Sequence, residues 1–499
     1  MKMKKKLKSN ITLINVITNI LLQFVTIISG FIIPRIILKN FGSEVNGLVS
    51  SLNQFLSYIN LFEGGLGGVV LANLYKPLYN KDKEKISSVI KTTHDFYHKL
   101  AMFFIVYTLA VGLLYPLLTN TSFSFVYIFT LTIILSVTLF VQYNFSLAYR
   151  LLLQADKKVY IVSLTQIILT ILNVFIFVVI AKIYPNIHIL KLGSALVFLL
   201  QPLIFNHYVN KYYEIDKKIK SDNNLLKSRW DGFAINIAAF IHNNTDITVL
   251  TVLSSLKMVS VYSVYLLVTS GLKKIILSIS SAISPTMGHA YAKHNEEELN
   301  KKFELYEYIV FFVSYFLFVV GGLLITPFVL IYTKGITDIN YNQPIFGLII
   351  ILAELMYCIR EPYVSLAYSA NKFKDIKKHG YIEAFLNIII SIILVPKYGI
   401  IGVAIGTLIA MTYRTIYHVL YLKNHILNRS IRFFINKFII FTLTSLIGVL
   451  ICYKYIPFNN YNIFNFIKYG LLYSIIFGLL YLLISIIFYK KDLKLIIKK

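Results

Sequence analysis

Runs of about twenty apolar residues recur from one end of this 499-residue chain to the other. That recurrence leaves few folds open. A bilayer core offers no water to a backbone, so a spanning segment must satisfy its own N–H and C=O groups as a helix or within a closed barrel. Barrel strands need segments of alternating polarity, and these runs do not alternate. The sequence predicts an all-α polytopic membrane protein. We place fourteen transmembrane spans near 11–38, 47–75, 95–118, 124–149, 159–181, 187–208, 231–254, 258–288, 304–332, 344–369, 379–396, 400–420, 433–453 and 464–488. The first follows MKMKKKLKSN and so looks like a signal peptide. Its run continues to about Leu38 without a small-residue cleavage site, and we read it as a retained first helix.

Charge sets the orientation. With the N-terminus inside, the inner segments hold 36 of the 49 Lys and Arg residues, and the outer loops and their flanks hold eight. This bias places both termini in the cytoplasm. It also accounts for the net charge of +27, which belongs to the cytoplasmic face and its anionic lipids and not to nucleic acid. The two cysteines, Cys358 and Cys452, lie in or near apolar runs and support no disulfide framework.

The long basic stretch 210–229 falls after span six. It suggests an N-terminal six-helix lobe (1–208), a linker (209–229), a second six-helix lobe (230–427) and two additional helices with a basic tail (428–499). A weak repeat agrees: at an offset of 215, residues 47–50 meet 262–265, and 155–158 meet 370–373. Ser-Leu-Ala-Tyr recurs at 146–149 and 365–368, an offset of 219, which is either chance or a local gap. Six helices per lobe give both repeats one orientation in the membrane. The expected consequence of that parallel design is a cavity between lobes, opened to either face in turn.

Polar residues inside the apolar runs are costly and mark candidate sites. Met258–Met287 carries Lys273 and Lys274 at its centre. Neighbouring residues on a helix point about 100° apart, so the two lysines cannot meet one target on an unbroken helix. An anion-binding cavity is one reading; a pair with Glu63 or Asp246 is another. Span two holds Asn53, Asn60 and Glu63 on roughly one face, followed by Gly64-Gly65-Leu66-Gly67-Gly68. Glu63 reads as a cavity carboxylate for a coupling ion or proton, or as a structurally paired one. His242 and Asp246, four apart in span seven, suit a proton relay or a structural pair, and nothing nearby supplies a metal site. Span ten carries Arg360 and two carboxylates, Glu354 and Glu361, which are further candidates for coupling to an ion or proton. Arg360 suits a phosphate or carboxylate, with pairing to a local Glu as the alternative. Arg35 ends span one beside Pro34. For Arg150 and Arg414, snorkelling to the interface is expected. His94 and His98 read as interfacial. No catalytic motif and no phosphate-binding Gly-rich loop is present.

Three stretches carry a family resemblance: LKNFGSEVNGLVSSLNQFLSYINLFEGGLGGVVLANLYKPL (38–78), LLLQADKKVYIVSLTQ (151–166) and NNTDITVLTVLSSLKMVSVYSVYLLV (243–268). They resemble Wzx-type polysaccharide flippases of the multidrug/oligosaccharidyl-lipid/polysaccharide exporter superfamily. The resemblance implies a MATE-like core of twelve helices in two lobes, with two further helices. It implies an undecaprenyl-diphosphate-linked oligosaccharide moved from the inner to the outer leaflet of a bacterial cytoplasmic membrane. It also implies a polysaccharide polymerase and glycosyltransferases as pathway partners, and no cofactor. A cationic cavity would replace the hydration that a diphosphate loses in hydrocarbon. Two alternatives share the fold: an ion-coupled drug or metabolite antiporter, and a flippase for a lipid-linked peptidoglycan or teichoic acid precursor. A membrane enzyme is disfavoured, because no outer loop is large enough to hold a catalytic domain.

Overall fold

The computed structural model describes residues 2–119, 121–216, 218–222, 225, 240 and 244–497, with side chains omitted at 2–10, 12, 373–374 and 494–497. The described residues are almost all helical. In order they form α1 (Lys2–Ser57), α2 (Asn60–Glu63), α3 (Leu66–Asn80), α4 (Lys83–Leu118), α5 (Phe125–Val141), α6 (Leu147–Ala155), α7 (Val159–Ile183), α8 (Ile187–Phe198) and α9 (Leu200–Tyr212). After helical residues 244–253 come α10 (Leu256–Ala292), α11 (Glu296–Tyr332), α12 (Pro344–Ser369), α13 (Phe373–Tyr398), α14 (Ile400–Leu422), α15 (Arg432–Tyr455), α16 (Ile463–Phe488) and α17 (Lys490–Ile497). Exposed side chains such as Phe24, Ile168, Ile393 and Leu450 coat the outside, the reverse of a water-soluble surface.

Eleven helical stretches are long and apolar enough to cross a bilayer. One of them, Leu13–Glu63, holds two crossings. Gly42 (φ 80°, ψ −177°) breaks it in the left-handed region. Asn15 bonds the Lys157 carbonyl at one end of the lobe, while Glu44 accepts from Ser122 at the other. Beyond Gly42, Tyr115, Tyr107 and Tyr97 bond Ser51, Phe55 and Glu63 in turn, so the chain runs back antiparallel to α4. Pro344–Ser369 is a further crossing that three charged residues, Glu354, Arg360 and Glu361, keep from standing out by composition. With span seven, most of which lies outside the described residues, these make fourteen.

The chain divides into two compact units, Met1–Phe240 with Ser255–Lys257, and Ile241–Ser254 with Met258–Lys499. The parallel repeat is written into their backbones. Lys81 and His294 both adopt left-handed φ, and each is followed by a capping side chain. Asp82 accepts from Lys85 N at 3.0 Å, and Asn295 from Glu298 N at 2.9 Å. Lys157 and Asn371 are likewise both left-handed. At each, the following amide closes the helix on a carbonyl five residues back: Lys158 N on Leu153 O (2.8 Å) and Lys372 N on Ala367 O (3.0 Å). This register is close to the 215 of the sequence and excludes the Ser-Leu-Ala-Tyr match, which is chance. The π-helical turn Gln142–Ser146 beside the first copy adds one residue to a turn and cannot absorb the difference.

Within the second unit, α13 and α14 form the tightest hairpin. A Cβ at Gly402 would sit 2.6 Å from the Leu394 carbonyl carbon, and one at Gly406 2.6 Å from Ser391 Oγ. Two glycines four apart let the backbones touch. The same approach brings Asn387 of α13 to Thr407 of α14 (3.1 Å). The last two crossings pack on α11. Tyr308 donates to Ser485 Oγ (2.6 Å), Tyr315 pairs with Thr442 Oγ1 (2.9 Å), and Phe311 meets the ring of Phe434 edge-on.

Candidate functional site

In the first unit the polar residues of span two sit where the helix is interrupted. Gly64 and Gly65 are both left-handed, so α2 ends after one turn and α3 starts afresh. Glu63 accepts from Tyr97 Oη at 2.8 Å, and Asn60 accepts from Tyr143 Oη at 2.5 Å. Tyr143 belongs to the π-helical turn, whose neighbour Asn144 meets His98 Nδ1 at 2.7 Å. Asn53 and Asn60, two turns apart, are both exposed. Span one contributes Asn19, Gln23 and Thr26, exposed and spaced by four and three. Arg35 is half-buried at the outer end of this span, and Gly42 follows it seven residues later.

The second unit holds a denser cluster. Lys273 and Lys274 part company, as helical geometry requires. Lys273 turns inward and pairs with Glu354 at 3.0 Å, with their side chains 15% and 7% exposed. Its partner is thus neither Glu63 nor Asp246. The Tyr357 ring is met by two cations, Lys273 Nζ at 4.9 Å and Arg360 Cζ at 4.7 Å from its centroid. Arg360 also meets Glu383 Oε1 at 3.4 Å, and Arg414 meets Glu383 Oε2 at 3.2 Å. Arg414 does not snorkel to the interface: its side chain is 10% exposed and its Nε donates to buried His418. Glu361 is buried on the same helix as Arg360. Lys273, Arg360 and Arg414 therefore balance Glu354, Glu361 and Glu383.

Asp246 stands outside that balance. It is 6% exposed, and its Oδ2 accepts from Tyr262 (2.7 Å) and Thr407 (2.9 Å). Thr407 has one proton for both Asp246 and the Val403 carbonyl, and Asp246 Oδ1 has no hydrogen-bond partner among the described residues. Asn387 closes the group: its Nδ2 donates to Thr407 Oγ1 (3.1 Å) and its Oδ1 accepts from Thr245 (3.4 Å). A buried carboxylate met by neutral hydroxyl and amide donors, with no cation beside it in the ion pairs of the described residues, is a place where one proton could be held. The proposed relay partner, His242, lies outside the described residues.

Lys274 is exposed, with no carboxylate within 4 Å among the described residues. Ser278 and Ser281, and more loosely His289, continue its exposed face towards the C-terminal end of α10. Ser278 and Ser281 bond carbonyls of their own helix, so Lys274 is the group on this face that acyl chains would leave unsolvated.

A second buried cluster escaped the sequence. Glu307, wholly buried on α11, is met by Arg429 (2.7 Å), Lys437 (2.8 Å) and the Tyr363 hydroxyl. Glu307 and Glu383 both sit near the inner ends of their apolar runs, where an acid reads as interfacial flank. Glu383 carries one signal, being acidic beside a lysine-rich flank; the flank before Glu307 already holds Glu296, Glu297, Glu298 and Glu304, so Glu307 carries none.

Among solved structures, the chain matches the lipid II flippase MurJ in its inward closed conformation, with a TM-score of 0.71 and 20% identity over 95% of this chain and 99% of that one. It also matches an inward-facing multidrug resistance MATE family transporter of the MOP superfamily (TM-score 0.60, 16% identity, 79% and 93% covered). A third match is a MOP superfamily transporter from Pyrococcus furiosus (TM-score 0.52, 15% identity, 85% and 95% covered). The chain has their fold. No family model and no curated protein matches it. The match to the flippase spans nearly the whole chain, while the two transporters leave 15–21% of it uncovered.

Proposed function

We propose that this protein is a flippase of the MOP superfamily that moves a polyprenyl-diphosphate-linked oligosaccharide from the inner to the outer leaflet of a bacterial cytoplasmic membrane for surface polysaccharide assembly. The observation that carries this reading is Lys274, an exposed cation at mid-span on a polar helix face, with no carboxylate within 4 Å among the described residues. A diphosphate is the guest that such a cation suits, and Asn53 and Asn60 offer amides for sugars on a second exposed face. Lys273 and Arg360, with their carboxylates, become the support that orients α10 and α12. Alternating access between the two units moves the head group, while the polyprenyl chain stays in lipid.

The test is deletion followed by analysis of polyprenyl-linked intermediates. Lipid-linked repeat units are expected to accumulate on the cytoplasmic side. Accumulation of a peptidoglycan precursor instead would favour the second reading, suggested by the likeness to the lipid II flippase. Altered drug efflux with no lipid accumulation would point to an antiporter.

Asp246 is our candidate for coupling. It carries the charge left over when Lys273, Arg360 and Arg414 are set against Glu354, Glu361 and Glu383, so one proton or monovalent cation neutralises this group of buried residues. Asp246→Asn is expected to remove the dependence of export on the cation gradient in proteoliposomes. A variant that keeps the wild-type dependence sinks this assignment.

A further inference from the structure

The second unit carries a groove of about 980 Å³ that the proposed transport does not use. It opens where α11 starts and where α16 passes into α17, beside α15. Four lysines line it, Lys301, Lys437, Lys490 and Lys491, against two acids, Glu304 and Asp492. Between them the wall is apolar: Ile440 of α15 and Ile487 and Phe488 of α16.

The lysines differ in what they are free to do. Lys437 is committed to Glu307. Lys301 pairs with Glu297, but both side chains are more than 70% exposed, and such a pair is weak and readily exchanged. Lys490 and Lys491 have no carboxylate within 4 Å among the described residues. They open α17, whose sequence KKDLKLII mixes basic and apolar positions directly after a crossing. A short helix of this kind lies in the membrane interface and attracts anionic head groups. A basic mouth above an apolar wall, at that depth, complements a molecule with an anionic head and a hydrocarbon tail.

We propose that this groove binds an anionic glycerophospholipid of the adjacent leaflet. Its phosphodiester is met by Lys301, Lys490 and Lys491, and one acyl chain lies along Ile440, Ile487 and Phe488. The site is distinct from the transport face of α10, and binding there ties the last two crossings to α11.

The test uses the full-length protein in detergent, titrated with phosphatidylglycerol or with phosphatidylcholine of the same acyl chains, and read by native mass spectrometry. Phosphatidylglycerol is expected to bind at lower concentration. The triple variant Lys301→Gln, Lys490→Gln, Lys491→Gln should weaken it about 100-fold. The control Lys76→Gln, Lys81→Gln, Lys85→Gln, which removes three exposed lysines from the first unit, should leave it unchanged. Ile440→Trp, which fills the wall and keeps every charge, should also weaken binding. Equal affinity for the two lipids, a triple variant like wild type, or an equal loss in the control each overturns the proposal. So does a lipid-free dimer dissolved by Ile440→Trp, which would assign the groove to a second copy.

Discussion

Lys274→Ala is expected to lower export by one to three orders of magnitude, with the protein inserted and melting as wild type. That is the scale of about 2–5 kcal/mol lost when one partner of a close charge pair is truncated. Lys273→Ala should behave differently. Lys273 and Glu354 are both buried, and deleting the lysine leaves an ionised carboxylate without its counter-charge. Breaking a buried pair costs about 3–5 kcal/mol, so the melting temperature should fall. Adding Glu354→Gln to Lys273→Ala removes the stranded charge and should recover most of the loss. Thermal unfolding in detergent and export of lipid-linked substrate in proteoliposomes separate the two lysines. Wild-type export by Lys274→Ala would remove the diphosphate contact from the mechanism.

Glu307→Gln is expected to produce the largest loss of stability. Two cations share this one carboxylate, with Lys437 only 2% exposed and Arg429 11%. Neutralising it leaves the buried lysine without its one ion-pair partner within 4 Å among the described residues, again on the scale of about 3–5 kcal/mol. The damage should be local first. Glu307 joins α11 to α15, so the segment 428–431 that leads into α15 should become accessible to protease before the rest of the chain unfolds. Replacing Glu307 and Lys437 together by methionine removes both buried charges, while Arg429 can turn towards solvent. That double variant should be more stable than Glu307→Gln. If Glu307→Gln melts and is cleaved like wild type, the cluster does not hold the last two crossings in place.

Both expectations rest on pairings that the sequence did not reveal. The charged positions themselves were legible: Lys273, Glu354, Arg360 and Asp246 each stand out in an apolar run because burying them is costly. Their partners were not. Glu383 and Glu307 lie at run edges, where a carboxylate costs little and draws no notice. Arg414 looked able to reach the interface, yet packing against α12 and α13 holds it beside Glu383. The break after Glu63 was announced by its glycines; the π-helical turn that aims Tyr143 at Asn60 had no local signature.

The sequence by itself determined the class of fold, the number of crossings and the parallel repeat. Each follows from local quantities: run length against bilayer thickness, a hydrogen-bonding backbone that must close on itself, and the order of apolar runs with weak residue matches at an offset of 215. Tertiary structure alone decided which charges are paired and which one is left exposed. A helix turns 100° per residue, so Lys273 and Lys274 differ only in which neighbour the packing of α10 sets against each. That rotation is fixed by contacts with α12, eighty residues further along, and no pattern within α10 contains it.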